Sequence, residues 1–208
     1  MTISKLVPSK HVEGRWLAFL EDGAVLRLTE REVADFALYA GMELDQETWE
    51  ALDRSAGESA ARSKALDLVS GRPYGKGELE KRLRQGKFSP EAAEQTAQWM
   101  EDIGLVNDAE YARTLAKHYA AKGYGPQKIR FELQSRKVPR EFWEDALAEL
   151  DDPAEAIDSF LCKKLAGKEA DKKELKKAAD ALARRGYRWS DISAALGRYG
   201  AEDHDETI

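Results

Sequence analysis

The feature that most limits how this chain can fold is a pattern written three times. An apolar residue is followed by a second four positions later and by a third five positions beyond that. Leu79, Leu83 and Phe88 supply it first, Ile129, Leu133 and Val138 supply it 50 residues on, and Ala178, Leu182 and Tyr187 a further 49 along. Flanking segments keep the same offset. Ala65, Leu66 and Val69 match Leu115, Ala116 and Tyr119, and Trp143, Ala146, Leu147 and Leu150 match Ile192, Ala195, Leu196 and Tyr199. Spacings of three and four put these groups on one face of a helix. A period near 50 residues marks stacked helical modules, each too small to bury its apolar face alone. The fold class is therefore mainly α, with three tandem three-helix repeats over residues 58–106, 107–151 and 152–200.

Helix boundaries agree. Ser89-Pro90, Val138-Pro139 and Asp152-Pro153 place proline at a first helical position, where its missing N–H costs nothing. Asn107 with Glu110 and Asp152 with Glu155 read as capping boxes. Between the first two helices of the second repeat stands Gly123-Tyr-Gly-Pro126, where both glycines can adopt positive φ in a tight connection and Pro126 presets the start of the next helix. Arg72-Pro-Tyr-Gly75 does the same work in the first repeat. Tyr74 and Tyr124 are read as rings packed against the turn. In the third repeat Gly167-Lys-Glu-Ala-Asp171 stands there without an aromatic, ahead of a Lys-rich helix with Lys172, Lys173, Lys176 and Lys177.

Residues 1–57 differ in kind. Trp16–Leu20 and Ala24–Leu28 alternate as a β-hairpin around Gly23, a helix capped by Thr29 is predicted over Glu30–Tyr39, and another begins at Leu44. The N-terminus lacks the apolar core of a signal peptide, and Cys162, the single cysteine, sits at an apolar helical position that reads as a core thiol. With no disulfide possible, a cytoplasmic setting is expected. Residues 201–208 read as an acidic disordered tail.

The net charge of −6 hides its distribution. Residues 58–200 hold 27 basic against 24 acidic side chains, while the acidic excess lies at the two ends. Such a middle permits contact with phosphate without demanding it. No metal-ligand spacing, phosphate loop or nucleophile motif is present, so neither enzyme chemistry nor a cofactor is expected. What remains is surface. Basic residues recur late in the second helix of each repeat: Arg82, Arg84 and Lys87; Arg136 and Lys137; Arg184, Arg185 and Arg188. They serve either the negative end of the helix dipole or a periodic partner, a protein filament or a nucleic acid. Phe131 lies about 200° round its helix from Ile129, where the matching positions hold Lys81 and Asp180. It is an interface anchor or a contact with the adjoining repeat. The candidate partner-binding residues are Arg82, Arg84, Lys87, Lys128, Arg130, Phe131, Arg136 and Lys137.

Three stretches, Arg72-Pro-Tyr-Gly-Lys-Gly-Glu-Leu-Glu-Lys-Arg-Leu83, Asp102-Ile-Gly-Leu-Val-Asn-Asp-Ala-Glu-Tyr-Ala112 and Gly123-Tyr-Gly-Pro-Gln-Lys-Ile-Arg-Phe-Glu-Leu133, resemble in order and spacing the signatures of the bacterial RecX family. The resemblance covers about 58–200. It implies an elongated, curved helical body, a cytoplasmic monomer that regulates the RecA recombinase. It further implies binding in the groove of RecA–single-stranded DNA filaments, limiting ATP hydrolysis, strand exchange and co-protease activity, with no membrane and at most weak contact with single- or double-stranded DNA. The competing reading is a direct DNA-binding module of helix-turn-helix type, against which the acidic tail argues.

Overall fold

A computed structural model describes residues 1–166 and 171–205, with side chains described through residue 199. The chain divides into two compact units, Met1–Val106 and Asn107–Ile208.

The first unit opens with a three-stranded antiparallel sheet, β1 (Ile3–Pro8), β2 (Arg15–Leu20) and β3 (Val25–Thr29), in the order β1-β2-β3. The predicted hairpin is β2–β3, with Gly23 at φ +86°. Strand β1 has no counterpart among the sequence-based expectations. Only Ile3 of its residues is fully buried, so the strand has no alternating signature and is held by pairing to β2 and by the Ile3 N–H on Met42 O (3.0 Å). α1 (Glu30–Asp35) is shorter than the predicted 30–39, because Ala37 at φ +47° turns the chain out of the helix.

Glu32 joins this module to the long helix packed against it. Its Oε2 accepts from Thr29 N–H (2.7 Å) in a capping box, and its Oε1 accepts from the Ser55 and Ser59 hydroxyls (3.1 and 2.6 Å). A buried carboxylate is tolerated only when its lone pairs are so occupied. Both serines lie on α2 (Gln46–Gly71), which Asp45 caps and which runs unbroken through the expected division at 57/58. Its first half, with Leu52 and Ala56, covers the sheet. Its second half joins α3 (Lys76–Gln85) and α4 (Pro90–Asp102) around Ala65, Leu79, Leu83 and Met100. Leu66, expected in that core, is exposed: Ala61 and Ala65 carry the buried stripe, and Leu66 falls about 100° beyond it.

The second unit holds two three-helix bundles. One comprises α5 (Asp108–Ala121), α6 (Pro126–Ser135), a 3-10 turn at Arg140–Phe142 and α7 (Trp143–Ala148); the other α8 (Pro153–Leu165), α9 (Lys172–Arg184) and α10 (Trp189–Asp205). Ile129, Leu133, Val138, Ala178, Leu182 and Tyr187 are all buried, as the pattern requires. Several local expectations change. Pro139 precedes the 3-10 turn rather than beginning an α-helix, and Asp152 caps α8 through Ala154 N–H (2.9 Å) rather than in a box with Glu155. Cys162 is exposed, since the buried stripe of α8 is Ile157, Leu161 and Leu165. The tail expected to be disordered continues α10 as far as Asp205, and 206–208 lie outside the described residues. Gly167–Ala170, part of the divergent third-repeat turn, also lie outside them.

The Gly-Tyr-Gly-Pro turn has a purpose the sequence did not disclose. Gly123 takes φ +77° as predicted, but Gly125 sits at φ −82°, so its left-handed freedom is unused. It is glycine because a Cβ there would lie 2.6 Å from the carbonyl carbon and oxygen of Gly186, in the turn after α9. The two turns interlock: Gly125 N–H donates to Arg185 O (2.8 Å) and Gln127 N–H to Gly186 O (3.0 Å). Arg185 crosses back over the Phe160 ring (4.7 Å).

The second residue past the second helix of each repeat is left-handed: Lys87 (φ +69°), Lys137 (φ +57°) and Gly186 (φ +88°). A side chain in this region costs about 1–2 kcal/mol, and glycine's extra freedom when unfolded offsets only part of that. Lys137→Gly should therefore stabilise the chain by about 0.5–1 kcal/mol. Gly186→Ala should destabilise it by about 2 kcal/mol or more, because its Cβ would collide with the Lys128 backbone as well. Urea unfolding of the two variants, read for opposite shifts in midpoint, checks this.

Candidate partner-binding face

α6 turns Ile129 and Leu133 into its bundle, which leaves Phe131 on the far side, 59% exposed. The adjoining repeat does not cover this ring. The Lys128 ammonium lies 4.5 Å from its centroid and 3.1 Å from Glu132 Oε1. A fixed cation over an aromatic face is mutually favourable and removes rotamer freedom before any partner arrives.

Around Phe131 the basic residues divide into two kinds. Arg130 and Arg136 are half-buried and held internally. Arg130 forks onto Glu144 of α7 (3.0 and 2.9 Å). Arg136 binds Glu132 Oε2 (2.7 Å) and the Tyr119 hydroxyl (3.0 Å), and Tyr119 itself donates to Glu132 (2.9 Å). Lys137 is exposed at its left-handed position. Arg82, Arg84 and Lys87 lie in the first unit at the end of α3, all exposed; Arg84 pairs with Glu80 (2.6 Å) and Arg82 reaches Gln85 (3.4 Å). The structure thus gathers Lys128, Arg130, Phe131, Arg136 and Lys137 around α6, and Arg82, Arg84 and Lys87 around α3.

Burial pushes the Glu132 carboxyl up, but the hydrogen bonds from Arg136, Lys128 and Tyr119 outweigh it and hold Glu132 below the usual glutamate range. Burial and the bond to Glu132 push the Tyr119 phenol up. Glu144 is held low by its bonds to Arg130, assisted by the nearby Arg188 of the third repeat. The next residue after Arg188, Trp189, is 65% exposed, another surface aromatic absent from the candidate residues. The signal was available: the matching residue of the second repeat is Arg140. Glu132 was missed for lack of a repeat counterpart, since Arg82 and Ala181 occupy its positions.

The face thus sets an exposed ring braced by a cation beside arginines themselves braced by acids. Comparison with known proteins supplies the family. Family models describing the first, second and third three-helix domains of RecX match residues 61–99, 107–147 and 151–196. The chain belongs to the RecX family. It is 34% identical over 146 residues to the regulatory protein RecX of Pseudomonas fluorescens strain Pf-5, covering 69% of this chain and 94% of that one. It is 31% identical over 148 residues to the regulatory protein RecX of Xanthomonas axonopodis pv. citri, covering 70% and 91%. Two solved structures share the fold. One is a regulatory protein RecX (TM-score 0.71, 21% identity, 94% of this chain and 98% of that one). The other is RecX from Lactobacillus salivarius (TM-score 0.61, 20% identity, 68% and 96%). The RecX family names regulatory proteins, and a regulatory role follows for this chain. No helix among the described residues is long and apolar enough to cross a membrane.

The Glu132 network makes a pH prediction. A carboxyl whose folded pKa is depressed stabilises the fold above its unfolded pKa and loses that contribution as pH falls through the folded value. Glu132→Gln should cost about 1–3 kcal/mol at neutral pH. The gap to the unaltered chain should close as pH drops below the ordinary glutamate range. Thermal melts of both proteins between neutral pH and about pH 3 measure it.

Proposed function

We propose that this protein is a non-enzymatic regulator of RecA that lodges in the groove of RecA–single-stranded DNA filaments and limits ATP hydrolysis, strand exchange and co-protease activity. Its membership of a family of regulatory proteins supports a regulatory target. The observation that carries the reading is the exposed Phe131, held beneath Lys128, with the exposed Lys137 just beyond the end of the same helix. Exposed aromatics with cationic neighbours are the residue types that dominate protein–protein affinity. The first repeat carries the theme without the ring, through Arg82, Arg84 and Lys87. A filament offers its partner the same surface at regular intervals, which a protein built from repeated turns is suited to meet. In this reading the protein acts as a cytoplasmic monomer, and its acidic N-terminal module and tail disfavour naked DNA as the main target.

The test is RecA ATPase on single-stranded DNA, with the purified chain added before and after filament assembly. Inhibition is expected in both orders, and Phe131→Ala should require about tenfold more protein for the same effect while its circular dichroism is unchanged. Absence of inhibition, together with tight binding to DNA alone that weakens steeply with salt, would replace this reading by the DNA-binding one.

A further inference from the structure

The second unit carries another surface, of opposite sign. A groove of about 710 Å³ opens where its two bundles meet, within the ~300–1,000 Å³ typical of ligand clefts. Ile129 and Tyr187, both buried, lie at its base, and Tyr124, Pro126, Leu147 and Leu150 contribute apolar walls. Phe131, on the other side of α6, takes no part. The interlocked turns place Tyr124 and Tyr187 in this one groove, so its shape depends on the same backbone bonds that join the repeats.

The rim decides what the groove can take. Glu149, Asp151, Asp152 and Glu155 surround it, with Lys117 the one cation among the described lining residues. Lys117 is already paired with Glu149 (3.0 Å), which also binds Arg113 (2.8 Å), and Asp152 is occupied in capping α8. Asp151 and Glu155 are exposed and, among the described residues, have no ion-pair or hydrogen-bond partner through their side chains. An apolar trough beside two uncompensated carboxylates repels phosphate and complements a cationic ligand with an apolar stripe.

We propose that this groove docks a cationic amphipathic helix of a partner protein. Its leucine-like side chains would lie between Tyr124, Leu147, Leu150 and Tyr187, and its lysines or arginines would reach Asp151 and Glu155. The recognition mode is helix-in-groove, in which apolar residues anchor and rim charges select. This surface is separate from the Phe131 face, and the proposal does not depend on that face engaging RecA.

The probe is a fluorescein-labelled amphipathic peptide of lysine and leucine, titrated with the full chain and followed by anisotropy. Saturable one-to-one binding is expected, weakened about tenfold by the double variant Asp151→Asn with Glu155→Gln. Both side chains are exposed and their replacements nearly isosteric, so the fold is retained, as melting checks. A control double variant, Glu91→Gln with Glu94→Gln, removes the same charge from the first unit and should leave binding unchanged. No saturable binding, or equal weakening by the control, would overturn the proposal. So would concentration-dependent dimerisation of the chain, seen in sedimentation and abolished by the groove variant, since the groove's occupant would then be a second copy.

Discussion

The two bundles of the second unit, each with its own core, are joined through two backbone hydrogen bonds, from Gly125 N–H to Arg185 O and from Gln127 N–H to Gly186 O. They join turns rather than helices, and they require the two turns to approach more closely than any Cβ allows at Gly125 or Gly186. Helices packed through side chains keep about 8–10 Å between axes and tolerate adjustment as those side chains repack. Turns joined amide to carbonyl tolerate much less, because a shift of an ångström breaks the bond. The repeats are thereby fixed in register, and both surfaces of the unit inherit that register. On one side of α6 stands Phe131 with its cations; on the other lies the groove between Tyr124 and Tyr187.

Arginine shows how the surface charge is managed. A count of basic residues treats Arg130, Arg136 and Lys137 as equals. In the structure Arg130 forks onto Glu144, and Arg136 divides its guanidinium between Glu132 and Tyr119. Such geometry suits a planar, many-donor group and leaves both arginines as supports for the surface around Phe131. Lys137 extends its flexible ammonium from a strained backbone position. Two of the three corresponding turns keep a lysine at that position despite its cost, and the third must use glycine because the Lys128 backbone occupies the space.

The first unit solves a different problem. A three-stranded sheet has one apolar face to cover, and α2 covers it with its first half before entering the first helical bundle. Glu32, buried and accepting from the Ser55 and Ser59 hydroxyls of that helix, ties α1 to it. The composition changes within one continuous hydrogen-bonded helix, which serves both the sheet and the first bundle.

Much of this was legible in the order of the residues. The apolar triplets (buried throughout except for the half-buried Phe88), the helical class, the β2–β3 hairpin and the proline starts of α4, α6 and α8 follow from local geometry: a period of 3.6 and a capped first turn depend on neighbours a few positions apart. The exposed Phe131 was legible for the same reason, as an aromatic on the wrong face of a repeat. Strand β1 was hidden because its pairing partner, not its own pattern, makes it a strand. Cys162 and Leu66 were misplaced because a buried stripe about 100° wide can shift by one residue without altering the spacing that marks it. The reason for glycine at 125 and 186, the pairing of Arg130 and Arg136 with acids, and the acidic groove arise from approaches between residues far apart in the chain. Sequence alone determined which faces would be buried, since that is a local property of helices. Only the tertiary structure decided which backbones would touch and which charges would remain free, since both depend on distances that no local pattern contains.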